Sequence, residues 1–219
     1  MGNTYQTVTL VDAISAIQEY NEEIYGKSGR KNVEIDAEGK ALFKSGLGVT
    51  EDAIGRQVKW IGKDYGGTAN TLASIKLPAL IAADIYRVRD VYSRQISALS
   101  PLIKKTPRWE EIRTLYRPFE QVLRSPQGKR TWKDWITWAT KFWHFLNPEV
   151  FPIMDSRARR FYQIRSGSAP GDAYAELLER CRWLLINRQD WLPKLRSADG
   201  NHAWSDIKLC DKVAYELGK

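Results

Sequence analysis

The chain has 219 residues, with 34 lysines and arginines against 26 aspartates and glutamates, which gives a formal net charge of +8 at pH 7. It is 43% hydrophobic and contains nine tryptophans, ten tyrosines and six phenylalanines. This composition excludes disordered, collagen-like and low-complexity chains, and it predicts one globular unit over residues 1–219. The longest apolar stretches have about ten residues, half of what spans a bilayer, so we expect no membrane segment.

The first half of the chain alternates helical patterns with glycine-containing turns. Apolar residues recur at three- and four-residue spacing between Val8 and Tyr25, which predicts a helix. Short β-capable runs flank Glu38-Gly39 and predict a hairpin or an irregular turn near residues 32–44. A long helical stretch is expected from Asn70 to about Leu99, with an interruption near Pro78.

The second half is also mainly helical in pattern. Trp109 to Leu123 predicts an amphipathic helix bent or broken by Pro118, and an aromatic helix is expected from Thr131 to the stop at Asn147-Pro148. Two further helices are expected, from Asp172 to about Ile186 and from Ser205 to Gly218. The predicted fold class is therefore mainly α, with at most one short β-hairpin.

The positive charge is concentrated in one window, residues 124–165. This window holds nine lysines and arginines against three acidic residues, a net charge of +6, and it contains four of the nine tryptophans. Cations that contact phosphates and rings that stack on bases are the combination found in proteins that bind unpaired or extruded nucleotides. An aromatic core helix flanked by surface charges would give the same composition.

The most informative motif in this window is FPIMDSRARRF, Phe151 to Phe161. It resembles a segment of the helix-hairpin-helix (HhH-GPD) DNA glycosylase superfamily, in which an apolar-Pro-apolar-x-Asp run leads into a helix. Seven of the eleven residues agree with that pattern. The resemblance implies a compact helical fold with two lobes, and an enzyme that cleaves the N-glycosidic bond of a damaged or modified base flipped out of DNA, for repair or for defence against phage.

The resemblance also implies catalytic roles for two residues. Asp155 matches the aspartate that assists departure of the base, because a nearby carboxylate can stabilise the positive charge that develops on the sugar. Lys141 is the candidate for the lysine that attacks the sugar in members that also have lyase activity, although it lies closer to the aspartate than the family pattern favours. The alternatives are that Asp155 is a plain helix N-cap and that Lys141 is a surface lysine.

Two further sets of residues are candidates for substrate contacts. Aromatic and polar residues of the helix that contains Lys141 are expected to wall a base pocket: Trp138, Phe142, Trp143 and His144. Basic residues on either side are expected to contact DNA: Lys129, Arg130, Lys133, Arg157, Arg159 and Arg160. The family's glycine-rich DNA-binding hairpin has no counterpart in DWITWAT, Asp134 to Thr140, so side chains would have to provide the contacts.

Metal and targeting signals are weak. The chain has two histidines and two cysteines without ligand spacing, so we expect no metal and no cofactor, and iron-sulfur ligation is excluded. The N-terminal segment MGNTYQTVTL has no basic region followed by an apolar one, so a cytoplasmic protein is expected, acting as a monomer.

Three other functions remain open at the level of sequence. Asp36, Glu38 and Lys40 form the Glu-x-Lys spacing of metal-dependent nucleases, provided that they lie on a strand. The chain could also be a non-catalytic nucleic-acid-binding module with the glycosylase scaffold, or a helical interaction scaffold in which the tryptophans are only core.

Overall fold

The structure is a computed structural model that describes residues 4–24, 29–63, 65, 76–123, 132–165 and 168–219. It contains eleven α-helices and one 3₁₀ turn, Gln189–Trp191, and no strand among the described residues. The helices are α1 Leu10–Glu22, α2 Asn32–Leu42, α3 Glu51–Lys63, α4 Lys76–Arg87, α5 Arg89–Ala98, α6 Trp109–Leu123, α7 Trp132–Leu146, α8 Ser156–Phe161, α9 Pro170–Asn187, α10 Leu192–Ala198 and α11 Asp206–Leu217. The prediction of a mainly α fold is confirmed.

Several helix ends follow directly from the sequence. Thr9 caps α1, and Asp12 returns the bond by accepting from the Thr9 backbone N–H at 3.1 Å. Ser205 caps α11 by accepting from the Lys208 N–H at 3.0 Å, and Gly218 follows its last residue. The aromatic helix α7 ends at Leu146, immediately before Asn147-Pro148.

The predicted hairpin near residues 32–44 is wrong, because this segment is helix α2. Its buried positions are Asn32, Ile35, Asp36 and Gly39, which is the three- and four-residue spacing of one helical face. Two of these four residues are polar, so the face does not look apolar in the sequence. Position 39 needs a glycine, because a Cβ there would lie only 2.3 Å from the Trp60 ring.

Neither Pro78 nor Pro118 interrupts the helix that contains it. Pro78 lies in the first turn of α4, where its missing N–H costs no hydrogen bond, and the helical stretch is interrupted instead at Val88, between α4 and α5. Helix α6 runs through Pro118 without a break.

The core is a cluster of buried side chains to which helices from α1 to α11 contribute. Helix α1 packs on α11, α3 on α4, α6 on α7, and the short α8 on α11. Helix α11 therefore contacts both the N-terminal helix and the helix that follows Asp155. This arrangement brings residues from the two ends of the chain to the segment from Phe151 to Phe161.

Candidate functional site

Lys141 is a buried lysine. It lies in the third turn of α7, and its residue surface is 8% exposed. Its Nζ donates to the Tyr65 carbonyl oxygen at 3.4 Å and lies 5.4 Å from the centroid of the Tyr65 ring. Burial lowers the pKa of Lys141, the charge of Asp155 raises it, and the charge of Lys208 lowers it further. A desolvated lysine with a lowered pKa is a potential nucleophile, and the surface-lysine alternative is excluded.

Asp155 is the N-cap of α8. Its Oδ1 accepts from the Ala158 N–H at 2.8 Å, and the residue is only partly buried. The structure therefore confirms the capping geometry. Capping uses one carboxylate oxygen and leaves the other for a further interaction, so the cap and the predicted catalytic role are compatible.

The structure brings Lys141 and Asp155 together through the residues that precede them. The Met154 N–H donates to Thr140 Oγ1 at 3.1 Å, so the chain immediately before Asp155 is tied to the α7 turn that holds Lys141. The two groups interact electrostatically as a result. The hydrogen bond between Met154 and Thr140 therefore joins the two segments that carry the candidate amine and carboxylate.

The segment 151–154, which precedes Asp155, is irregular but is held by buried side chains. In addition to Thr140, Tyr174 donates its hydroxyl to the Pro152 oxygen at 3.1 Å, and the Ile153 N–H donates to Asp211 Oδ1 at 3.2 Å. His144 Nδ1 lies 2.7 Å from the Phe151 oxygen. These side chains come from α7, α9 and α11, so three helices fix the approach of the chain to Asp155.

His144 and Asp211 are both buried, and burial shifts their pKa values in opposite directions. Burial lowers the pKa of His144 to about 3, so the ring is neutral near pH 7 and donates its Nδ1 proton to the Phe151 oxygen. Burial raises the pKa of Asp211 well above its ordinary value. His144 Nε2 has no hydrogen-bond partner among the described residues. The ring of His144 therefore supports the Asp155 segment and is not a base-pocket wall.

A second buried lysine lies beside this site, and sequence reasoning missed it. Lys208 on α11 is 1% exposed, and its Nζ contacts Asp36 Oδ1 at 2.6 Å, the Tyr65 hydroxyl at 2.9 Å and the Tyr20 hydroxyl at 3.3 Å. We call these four residues the lysine cluster. The sequence signal for the burial of Lys208 is its position between Ile207 and Leu209, in a helix that is buried on most sides.

One turn further along α11, Lys212 forms a second buried pair with Asp199. Lys212 Nζ also donates to Asn21 Oδ1 at 2.8 Å, and the side chains of Lys212 and Asp199 are both almost fully buried. Helix α11 therefore carries two buried ion pairs, one with Asp36 of α2, 172 residues away in sequence, and one with Asp199 at the end of α10, 13 residues away.

The predicted aromatic walls of the base pocket lie in the core. Trp138, Phe142 and Trp143 are at most 2% exposed, and all three surround Phe119, with ring centroids 5.4, 6.0 and 6.2 Å from it. The interpretation of these rings as pocket walls is corrected, because their faces are covered by other side chains. The partly buried aromatic ring that contacts Lys141 is that of Tyr65.

The six residues predicted to bind DNA do not form one group in the structure. Lys129 and Arg130 lie outside the described residues, and Lys133 is in the first turn of α7. Arg157 stacks on the Tyr215 ring at 3.8 Å, and Arg160 Nε donates to the Gly218 oxygen at 2.5 Å, so both arginines bind α8 to the end of α11. Arg159 is partly buried on the same helix. A role of these side chains in DNA binding stays a prediction.

The metal-dependent nuclease alternative requires a strand, and its three residues lie on helix α2. Asp36 and Glu38 lie on a helix and not on a strand, with Asp36 buried against Lys208 and Glu38 paired at the surface with Arg30 at 2.6 Å. Lys40 is exposed on the same helix. Among the described residues, no group of three or more histidines, cysteines or acidic residues is placed to hold a metal ion.

No described helix combines the length and apolar character needed to cross a membrane. No family model, curated protein or solved structure matches the chain. The site built by Lys141, Asp155 and the side chains around them is therefore the feature on which a functional conclusion depends.

Proposed function

We propose that this protein is a DNA glycosylase-like enzyme that cleaves the N-glycosidic bond of a damaged or modified base flipped out of DNA. The observation that carries the proposal is that a buried lysine, Lys141, and a partly exposed carboxylate, Asp155, follow two residues, Thr140 and Met154, that are hydrogen-bonded to each other. The resemblance of the segment from Phe151 to Phe161 to the glycosylases supports the same chemistry, and the net positive charge of the chain favours a polyanionic partner.

The chemistry divides between the two groups. Cleavage places positive charge on the sugar carbon as the base leaves with the bonding electron pair, and the Asp155 carboxylate stabilises that charge or activates a water. In a bifunctional reaction the unprotonated form of the Lys141 amine, which its lowered pKa favours, bonds to the same carbon as the base leaves, loses a proton, and gives a Schiff base when the sugar ring opens.

The test is incubation of the full chain with oligonucleotides that each contain one modified base, followed by alkali or, separately, by borohydride. We expect strand breaks at one class of base in alkali. Asp155→Asn should abolish them without unfolding the protein, because asparagine caps a helix about as well as aspartate does. Asp155→Ala removes the cap as well as the carboxylate, so the difference in stability between Asp155→Ala and Asp155→Asn measures the cap, and loss of activity in a stable Asp155→Asn protein measures the carboxylate.

Borohydride separates the two mechanisms. A covalent adduct that is lost in Lys141→Met but present in Lys59→Ala, a change at an exposed lysine of α3, would assign the Schiff base to Lys141. Strand breaks without an adduct would assign a water-dependent reaction to Asp155. If a broad panel gives no breaks, the proposal fails; salt-dependent DNA binding that is unchanged in Asp155→Asn would then indicate a non-catalytic module, and the absence of DNA binding would indicate an interaction scaffold.

A further inference from the structure

The four residues immediately before Asp155 form a buried stretch of irregular backbone. Phe151, Ile153 and Met154 are at most 7% exposed, and the described part of the chain has no strand that could lie beside them. A buried backbone N–H or C=O group without a partner costs free energy, so this stretch needs the partners that a sheet or a helix would otherwise provide. In the structure, those partners are side chains.

Each of the three residues 152–154 has one backbone group bound by a buried side chain, and each of these side chains comes from a different helix. The three bonds join the Tyr174 hydroxyl of α9 to the Pro152 oxygen at 3.1 Å, the Asp211 carboxylate of α11 to the Ile153 N–H at 3.2 Å, and the Thr140 hydroxyl of α7 to the Met154 N–H at 3.1 Å. A shift of the stretch along any one helix therefore breaks its bonds to the other two.

The Thr140 hydroxyl has a defined polarity. Its Oγ1 donates to the Thr137 oxygen at 3.0 Å within α7, and the residue is fully buried. A hydroxyl has a single proton, so Thr140 contacts the Met154 N–H only as an acceptor. The side chain thus has the polarity that this N–H requires, whereas a valine of nearly the same shape would offer no acceptor.

The bond from Met154 lies directly beside the candidate carboxylate. Asp155 is the next residue, and its Oδ1 accepts from the Ala158 N–H at 2.8 Å. The cap fixes the carboxylate with respect to α8, and the Thr140 bond fixes the start of α8 with respect to α7. The place of the carboxylate in the molecule depends on both bonds.

We infer that Thr140, Tyr174 and Asp211 are positioning residues that hold the Asp155 carboxylate at a fixed place beside α7. They act through the backbone of residues 152–154. Their effect on a reaction rests on the proposed function, whereas their effect on this backbone does not. Displacement of a catalytic group by about 1 Å can lower a rate by about 100-fold, so loss of one bond should lower the rate more than it weakens substrate binding.

The experiment compares two substitutions of Thr140 in the full chain. Thr140→Val removes the hydroxyl, and Thr140→Ser keeps it. The substrate is the oligonucleotide of the modified-base panel that the original protein cleaves. With saturating DNA, we expect the rate of base release to fall by about 10- to 100-fold in Thr140→Val with little change in KM, and to be largely retained in Thr140→Ser.

Tyr92→Phe is the matched control, because it also removes a buried hydroxyl that makes two hydrogen bonds. That hydroxyl accepts from Trp143 Nε1 at 2.8 Å and donates to the Leu115 oxygen at 3.1 Å, away from residues 152–154. The control should lower stability and keep the rate. An equal loss of rate in Tyr92→Phe and Thr140→Val would overturn the inference, because the loss would then follow stability alone.

Tyr174→Phe is a second test variant, which removes only the bond to Pro152 and replaces Thr140→Val if that protein does not fold. Folding is checked by circular dichroism. An unchanged rate in the folded test variants would overturn the inference.

Hydrogen–deuterium exchange measures the same effect without a substrate. Thr140→Val should speed exchange at the Met154 amide by about fivefold, because this amide loses its acceptor, and Tyr92→Phe should not. Faster exchange in Thr140→Val, with no base release by the original protein from any oligonucleotide, would support the inference and contradict the proposed function. Base release by the original protein, with unchanged exchange and rate in the variants, would do the reverse.

Discussion

The aromatic cluster around Phe119 is fully buried and the lysine cluster around Lys208 is buried except at Tyr65, and the two are built in opposite ways. The first contains Trp138, Phe142 and Trp143, which come from α7 in the basic and aromatic window of residues 124–165. The second joins α1, α2 and α11 to Tyr65 through one ammonium group. The comparison shows that a dense run of aromatic residues marks a core, whereas a charged residue on a buried helical face marks a site worth testing.

The largest expected effect is in the aromatic cluster. Trp143→Ala should lower the free energy of unfolding by about 4–5 kcal/mol, because it opens a cavity and removes the hydrogen bond from Trp143 Nε1 to the Tyr92 hydroxyl, 2.8 Å long. Urea denaturation measures the change, with Trp143→Phe as a milder control. A stable Trp143→Ala protein that loses DNA binding would show that the ring faces a ligand after all.

The ion pairs on α11 should respond differently to single and double changes. Lys212→Met leaves Asp199 buried without its cation and should cost about 3 kcal/mol, whereas Lys212→Met/Asp199→Asn should cost less than the single change. Asp199 retains donors from Asn21 and the Ala203 N–H, which limits the loss. Urea denaturation of the original protein and the two variants measures these free energies. A double variant less stable than the single one would contradict this account of the Lys212–Asp199 pair.

Close packing of α2 against the rings of Trp60 and Phe145 gives a third prediction. Gly39→Ala should destabilise the protein by about 2 kcal/mol although alanine favours helices, because its Cβ would overlap the rings of Trp60 and Phe145. Gly55→Ala in α3 is the matched control, since the nearest atom to a Cβ there is 3.9 Å away. Thermal unfolding should show loss in the first variant and no loss in the second.

The smallest effect concerns pH. His144 is neutral in the folded protein and gains a proton on unfolding below about pH 6.5, which destabilises the fold as pH falls. The pKa of Asp211 is raised in the folded protein, so above pH 3.8, the ordinary pKa of the group, Asp211 loses a proton when the protein unfolds. This difference makes the fold more stable as the pH falls. The two effects oppose each other between the ordinary pKa values of the two groups.

Asp211→Asn should therefore expose the effect of His144. We expect this variant to lose about 1 kcal/mol more stability than the original protein when the pH falls from 6.5 to 5.5, as measured by urea denaturation at each pH. Parallel pH dependence in the two proteins would show that Asp211 is already ionised in the folded state.

Some helices could be predicted because their signals are local. The capping pair Thr9 and Asp12, and the stop at Asn147-Pro148, depend on neighbouring residues, and the structure has helix ends at both places. The helix α2 could not be predicted in the same way. Its buried face includes Asn32 and Asp36, whose charge and hydrogen-bonding needs are met by Glu23 and by Lys208, 172 residues beyond Asp36.

The candidate site divides in the same manner. Asp155 was found from its motif, and its position before a helix follows from the same eleven residues. Lys141 was a plausible choice among several basic residues, and only folding could show that it is buried beside Asp155. Asp211 and Tyr65 have no local sequence signal, and Lys208 has only its position between Ile207 and Leu209, since the surroundings of all three are formed by contacts between segments distant in sequence.

The sequence by itself therefore determined the helical class, the helix ends with local caps, and the Asp155 motif, because each depends on residues within a few positions of one another. The tertiary structure decided which charges are buried and which rings are core. Those outcomes depend on the packing of α1, α2, α7 and α11, which together exclude water from Lys141 and Lys208 and give their amines different surroundings.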